Sequence, residues 1–196
     1  LDMTGTGPQS RGGFNVMPSG VLATVGYAVK ALLDPGLLPN SGLFQAIDLT
    51  VPEGTILNPR FPGAVGARTT TCQKLAGAIF GAFQAVLPES EAMASSHDVL
   101  AGMVFSGRAK RRAGAHVHIT NSLNMPVEAV ENEYPLRVEE YALVPDSGGA
   151  GRHRGGMAIA REVRILENGT TFSGRADSFV TRGEGALGGL AGTNCR

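Results

Sequence analysis

From Ser19 to Asp34, apolar residues recur at helical spacing, with Val21, Leu22, Val25, Val29, Leu32 and Leu33 forming one stripe. The spacing predicts a helix, preceded by Pro18 and stopped by Asp34-Pro35-Gly36. A short strand is predicted over Ala46 to Val51, closed by a turn at Pro52-Glu53-Gly54. A longer helix is expected from about Val65 to Leu87, with Cys72, Leu75, Ala76, Ile79, Phe83 and Val86 on its stripe and Pro88 ending it. Most of its other positions are small or apolar, so burial on more than one side is expected.

Past about residue 99 the period changes to two. Ala115 to Thr120 alternates, with His116, His118 and Thr120 on one face and Val117 and Ile119 on the other. Extended segments follow at Leu136 to Leu143, Met157 to Leu166 and Thr170 to Arg175. Asn168-Gly169 between the last two is a hairpin signal. Helices first and antiparallel strands afterwards predict an α+β fold with long buried helices and a C-terminal β-hairpin. Residues 1–98 would be the helix-rich part and 99–196 the strand-rich, Gly/Arg-loop part of one domain.

Composition narrows the function. Of 196 residues, 42% are hydrophobic, enough for a core. Lys+Arg and Asp+Glu both total 17, so no basic excess exists to hold a phosphate backbone, and nucleic acid is a poor partner. No apolar run approaches the roughly 18 residues of a membrane helix. Cys72 and Cys195 do not make a disulfide framework, which makes a reducing cytoplasm the default. Cys72 reads as a packed small hydrophobe on the helix stripe. Glycine is the outlier: residues 146–192 hold 12 of the 28, and residues 1–20 hold five.

Those clusters carry the candidate chemistry. In Asp146-Ser147-Gly148-Gly149-Ala150-Gly151-Arg152-His153-Arg154-Gly155-Gly156, glycines can take positive φ and turn N–H groups inward around an anion. Arg152 and Arg154 add forked donors for a carboxylate or phosphate. The same residues also suit a purely structural loop with its arginines paired to nearby acids. It is not a P-loop, because G-x-x-x-x-G-K-[ST] is absent. His116 and His118 share a strand face and suit a divalent metal if a third ligand arrives, or two hydrogen-bonded half-buried side chains if none does. Glu128 and Glu131 can share one side of a helical turn, either for acid/base work or as a solvated face. The loop from Asp2 to Asn15 offers hydroxyls and amides to an anion, or is a turn-rich strand edge.

Taken together, the sequence resembles the hydantoinase B/oxoprolinase family. The resemblance rests on Asp2-Met3-Thr4-Gly5-Thr6, Asn15, Val51-Pro52-Glu53-Gly54-Thr55 and Asn58-Pro59-Arg60-Phe61-Pro62. It continues through His118-Ile119-Thr120-Asn121, Pro126-Val127-Glu128 with Glu131, and Tyr134-Pro135-Leu136-Arg137-Val138. It is strongest over Asp146 to Arg152 with Arg154-Gly155-Gly156, and ends at Gly188-Gly189. It implies the hydrolase subunit of an ATP-dependent cyclic amidase of the hydantoinase or 5-oxoprolinase type. A hydantoinase A-type partner subunit or domain would use ATP to phosphorylate the substrate, in a cytoplasmic hetero-oligomer. The alternatives are a ketone carboxylase alpha-type subunit and a non-catalytic scaffold.

Several family features are not matched. An upstream half with an Asn-Asp-Pro segment and a His/Asp metal region has no counterpart, and the passage from Ser106 to His116 is short, as if residues were missing between about Gly107 and Ala113. The chain therefore reads as the C-terminal portion of a subunit, with the ligands of a divalent metal outside it. The resemblance implies catalytic roles for Asp146, Arg152, Arg154, His118 and Glu128. It implies substrate or phosphate binding at Gly148, Gly149, Gly151 and Asn121, with His116 and His118 as weak metal candidates.

Overall fold

A computed structural model describes residues 1–87, 102–106, 112–116, 124–175 and 178–195. The chain divides into two compact units, Leu1–Ser95 and Ser96–Arg196.

The first unit is helical. Helix α1 spans Pro18–Leu33, with Pro18 in its first turn, where a missing N–H costs nothing. Its stripe of Val21, Val25, Ala28 and Leu32 is buried with Val16, Leu57 and Ile79. Asp34 ends it, followed by Pro35, which disfavours a further helical turn. Helix α2, Ser41–Gln45, was not signalled by periodicity. It is started by the Asn40 side chain, whose oxygen accepts from the amides of Gly42 (2.9 Å) and Leu43 (3.3 Å). A Cβ on Gly26 of α1 would lie 2.6 Å from the Phe44 ring, so that glycine lets α2 approach.

Helix α3 spans Arg68–Phe83, shorter at both ends than the hydrophobic run suggested. It buries Thr70, Ala76 and Ile79 while Ala78, Gly81 and Ala82 are exposed. Burial on several sides is not found, because small residues permit burial without requiring it. The strand expected over Ala46 to Val51 is reduced to one parallel bridge between Asp2 and Thr50. Its ladder runs from the Met3 amide to Thr50 O and from the Thr50 amide to Leu1 O, both 2.9 Å. The Thr4 turn and Pro52 stop it on either side.

Among its described residues, the second unit has five strands and one helix: β1 Gly102–Ser106, β2 Arg112–His116, α4 Val127–Glu133, β3 Leu136–Leu143, β4 Ile159–Ile165 and β5 Thr171–Arg175. All pairings are antiparallel, in a sheet of order β2-β1-β5 and a two-stranded sheet β3-β4. Phe105, Val130 and Leu136 form its buried core, with Met125, Tyr134, Val138 and Val163 packed around them. The Phe105 ring lies 5.3 Å from that of Phe172. The α+β class is as expected, with helices preceding antiparallel strands.

The Asn168-Gly169 turn forms, with Gly169 at φ 83°, and strands flank it as predicted. The two strands pair elsewhere, however: β4 with β3 and β5 with β1. The apolar side of β4 is engaged by β3 in the register Leu136 to Ile165, and the Leu166 amide donates to Pro135 O (2.9 Å). The strand predicted over Ala115 to Thr120 begins earlier as β2, and residues 117–120 lie outside the described residues.

Candidate functional site

The Asp146–Gly156 loop joins β3 to β4. The ladder continues one step past β3, where the Val144 amide donates to Ala158 O (2.8 Å). The chain then turns at Asp146, which takes φ 56°. Asp tolerates this left-handed conformation better than most side chains. Ser147 is buried and pins the base of the loop. Its hydroxyl donates to Val144 O (2.7 Å) and accepts from the Ala158 amide (2.6 Å).

Above this base the loop is clamped by backbone. The Gly155 amide donates to Gly149 O (3.0 Å), the Leu190 amide to Ala150 O (2.7 Å), and the Thr193 amide to Ser147 O (3.0 Å). A Cβ on Gly148 would sit 2.2 Å from Gly155 O, and one on Gly149 2.2 Å from Leu190 O. No real Cβ tolerates that distance, so these glycines serve close approach. The loop's positive φ falls on Asp146 instead of on its glycines. Gly151 sits against Gly189, with its virtual Cβ at an ordinary 3.5 Å.

The charged side chains stand on the outside of this clamp. Arg154 pairs with Asp146 at 2.5 Å, both well exposed. Arg152 and His153 are also exposed, and among the described residues Arg152 has no hydrogen-bond or acidic partner. The arrangement is a backbone frame presenting the Arg152 guanidinium, unpaired among the described residues, next to a carboxylate–guanidinium pair. That geometry suits an anion.

Glu128 lies exposed in the first turn of α4. Glu131, three residues on, accepts from the Val138 amide (2.9 Å) beside the irregular register between Val138 and Glu140. Its role is thus to cap a β-bulge. His116 ends β2, opposite Gly102. His118 and Asn121 lie outside the described residues. Among the described residues, no three His, Cys, Asp or Glu side chains gather to hold a metal ion. Cys72 and Cys195 are not joined in a disulfide, and both are half-buried.

The N-terminal Gly/Thr loop satisfies itself. Asp2 accepts from the Thr4 hydroxyl (2.6 Å) and amide (2.9 Å), bonds that hold its carboxyl below the ordinary value for aspartate. The Thr6 hydroxyl donates to Met3 O (2.6 Å). Asn15 is fully buried, its oxygen accepting from the Ser10 amide (2.8 Å). Its nitrogen donates to Ser10 O (2.9 Å), Gly12 O (3.3 Å) and Ala64 O (2.9 Å). The groups suggested for an anion here are occupied by the chain itself.

Sequence reasoning passed over a third cluster in the second unit. The Asn124 side-chain amide donates to the Tyr141 hydroxyl (2.5 Å), and the Arg161 guanidinium lies 5.2 Å from the Tyr141 ring centroid. No local spacing links the three residues. The only signal was the pairing of Tyr141 with Arg161 across two strands of matched apolar pattern.

The hydantoinase B/oxoprolinase family model matches residues 1–196. The chain belongs to that family. An uncharacterized protein of Methanocaldococcus jannaschii is 35% identical over 186 residues, which cover 86% of this chain and 33% of the relative. A 5-oxoprolinase of Dictyostelium discoideum is 30% identical over 181 residues, covering 87% of this chain and 14% of the relative. The crystal structure of the ATP-dependent caprolactamase from Pseudomonas jessenii superposes with a TM-score of 0.62 at 21% identity, over 83% of this chain and 33% of that one. The chain thus spans a third or less of these relatives.

Proposed function

We propose that the chain forms part of the subunit that opens a cyclic amide after a partner subunit or domain has phosphorylated it with ATP. Relatives named 5-oxoprolinase and ATP-dependent caprolactamase support the reading, since both names refer to ring amides. An unactivated lactam is a poor electrophile, whereas its phosphorylated form has a good leaving group. The observation that carries the reading is the exposed Arg152, without a partner among the described residues, on a loop whose frame is fixed by Ser147, Gly148 and Gly149. A guanidinium carried on a fixed backbone can meet two phosphate oxygens at once without reordering the loop. Arg154, already held by Asp146, contributes a second positive charge to the same surface. His118, Asn121 and Glu128 are the candidates for proton transfer and substrate orientation.

Arg152→Ala in the complete enzyme should lower kcat/KM for ATP-coupled ring opening at least about tenfold, with Arg152→Lys recovering part of it. Unchanged kcat and KM would remove Arg152 from the site. The packing of Gly148 and Gly149 favours a second reading, a scaffold that only holds backbone together. The same variant separates the two, because a scaffold has no need of an exposed guanidinium.

A further inference from the structure

Residues 178–195 form a wall against the Gly/Arg loop, and the contact is backbone to backbone. Besides the bonds from Leu190 and Thr193, a Cβ on Gly149 would lie 3.1 Å from Ala191 C and 3.2 Å from Gly192 N. The wall also folds back on itself. The Gly192 amide donates to Gly183 O (3.2 Å) and the Cys195 amide to Ser178 O (3.1 Å). Arg182 thus adjoins Gly183, which lies one backbone layer from Gly149.

Strain gathers in the same place. Among the described residues, the residues other than glycine with positive φ are Asp146 (56°), Ser178 (60°) and Leu187 (52°). All three belong to the loop or to its wall. A leucine in that conformation is an outlier, held by its surroundings at a cost. Such strain clusters at ligand clamps.

Arg182 is an exposed cation of this wall, and none of the ion pairs among the described residues includes it. Its direction is set by Asn194. Arg182 Nε donates to Asn194 Oδ1 (3.1 Å), while Asn194 Nδ2 donates to Phe179 O (3.0 Å) and Val180 O (3.5 Å). Both ends of one side-chain amide therefore fix the arginine against its own segment. With Nε held, the two terminal nitrogens remain for a pair of acceptor oxygens. Asparagine orients the guanidinium without cancelling its charge, whereas Asp146 offsets that of Arg154.

We infer that Arg182, oriented by Asn194, is a second anion-binding residue of the Gly/Arg-loop site, and that it and Arg152 together take a phosphoryl group. The inference rests on the proposed role of Arg152. Two guanidinium groups without acidic partners match a group carrying nearly two negative charges, where a carboxylate needs one.

Inorganic phosphate titrated into the 196-residue chain, followed through the arginine Nε–Hε NMR signals, tests this. The Arg152 and Arg182 signals should shift along one binding curve. Arg182→Gln should weaken phosphate binding at least about fivefold, with Arg182→Lys recovering part of the loss. Asn194→Ala should weaken it too, although the charge is unchanged. Arg68→Gln, in the first unit, should leave it as it is. Acetate should bind more weakly than phosphate. Each variant is compared at an unchanged circular dichroism spectrum. Unaltered affinity in Arg182→Gln, where Arg152→Gln loses it, overturns the inference and leaves the role of Arg152 standing. Unaltered affinity in Arg152→Gln removes that role and the inference with it. An equal loss in Arg68→Gln reduces the binding to general surface charge and overturns both, and acetate binding as tightly as phosphate overturns the phosphoryl assignment.

Discussion

Asn15 uses all its hydrogen-bonding capacity inside the chain, joining three stretches of backbone at Ser10, Gly12 and Ala64. Asn15→Ala strands one amide and up to three carbonyls in a buried place. It should cost about 3 kcal/mol, read as a lower urea midpoint at unchanged slope. Gly148→Ala should cost about 2 kcal/mol or more, because the methyl meets a backbone carbonyl that has no rotamer to escape into. Asp2 gives a pH signature of known sign. Its lowered carboxyl pKa means its contribution to stability is present above the ordinary aspartate value and is lost as pH falls through the depressed one. Asp2→Asn should remove that acid-side dependence, seen in thermal melts across the acid limb. At this scale the sequence was half legible. The importance of Asn15 and the glycines could be read, but their roles could not: a glycine that binds an anion and one that lets two backbones touch are spelled alike.

The period of the hydrophobic pattern placed α1, β3, β4 and β5 within a residue or two; α1 has a buried stripe and β3 buries Leu136 at its start. It overextended α3, whose small residues carry no face preference, and it missed α2, which is started by an Asn40 cap instead of a stripe. Strand pairing was less legible still. Asn168-Gly169 specified a turn, but partners for β4 and β5 were chosen by surfaces well away in sequence. The bulge at Glu139 belongs to this scale too. Deleting Glu139 should remove the bulge and leave Tyr141 and Leu143 on the face they share with Val138, because Glu140 then follows Val138 in plain alternation against Val163 and Glu162. The expected readout is that the ring-current shifts on Arg161 protons persist.

At the scale of the molecule, membership of the hydantoinase B/oxoprolinase family was legible because many short motifs recur in order along the whole chain. Individual site residues were harder, since His118 and Asn121 lie outside the described residues and Asp146 and Arg154 already hold each other. Among the described residues, no helix is long and apolar enough to cross a membrane. The backbone clamp also puts the Gly/Arg loop under the control of time. Besides the local Gly155 to Gly149 bond, its carbonyls at Ala150 and Ser147 accept from Leu190 and Thr193, about forty positions further along the chain. During synthesis, Arg152 therefore emerges from the ribosome on a slack segment, and it acquires a fixed direction only when residues 190–193 arrive. A chain cut short before Leu190 would contain every charged residue of the loop and lack two of the bonds that frame it.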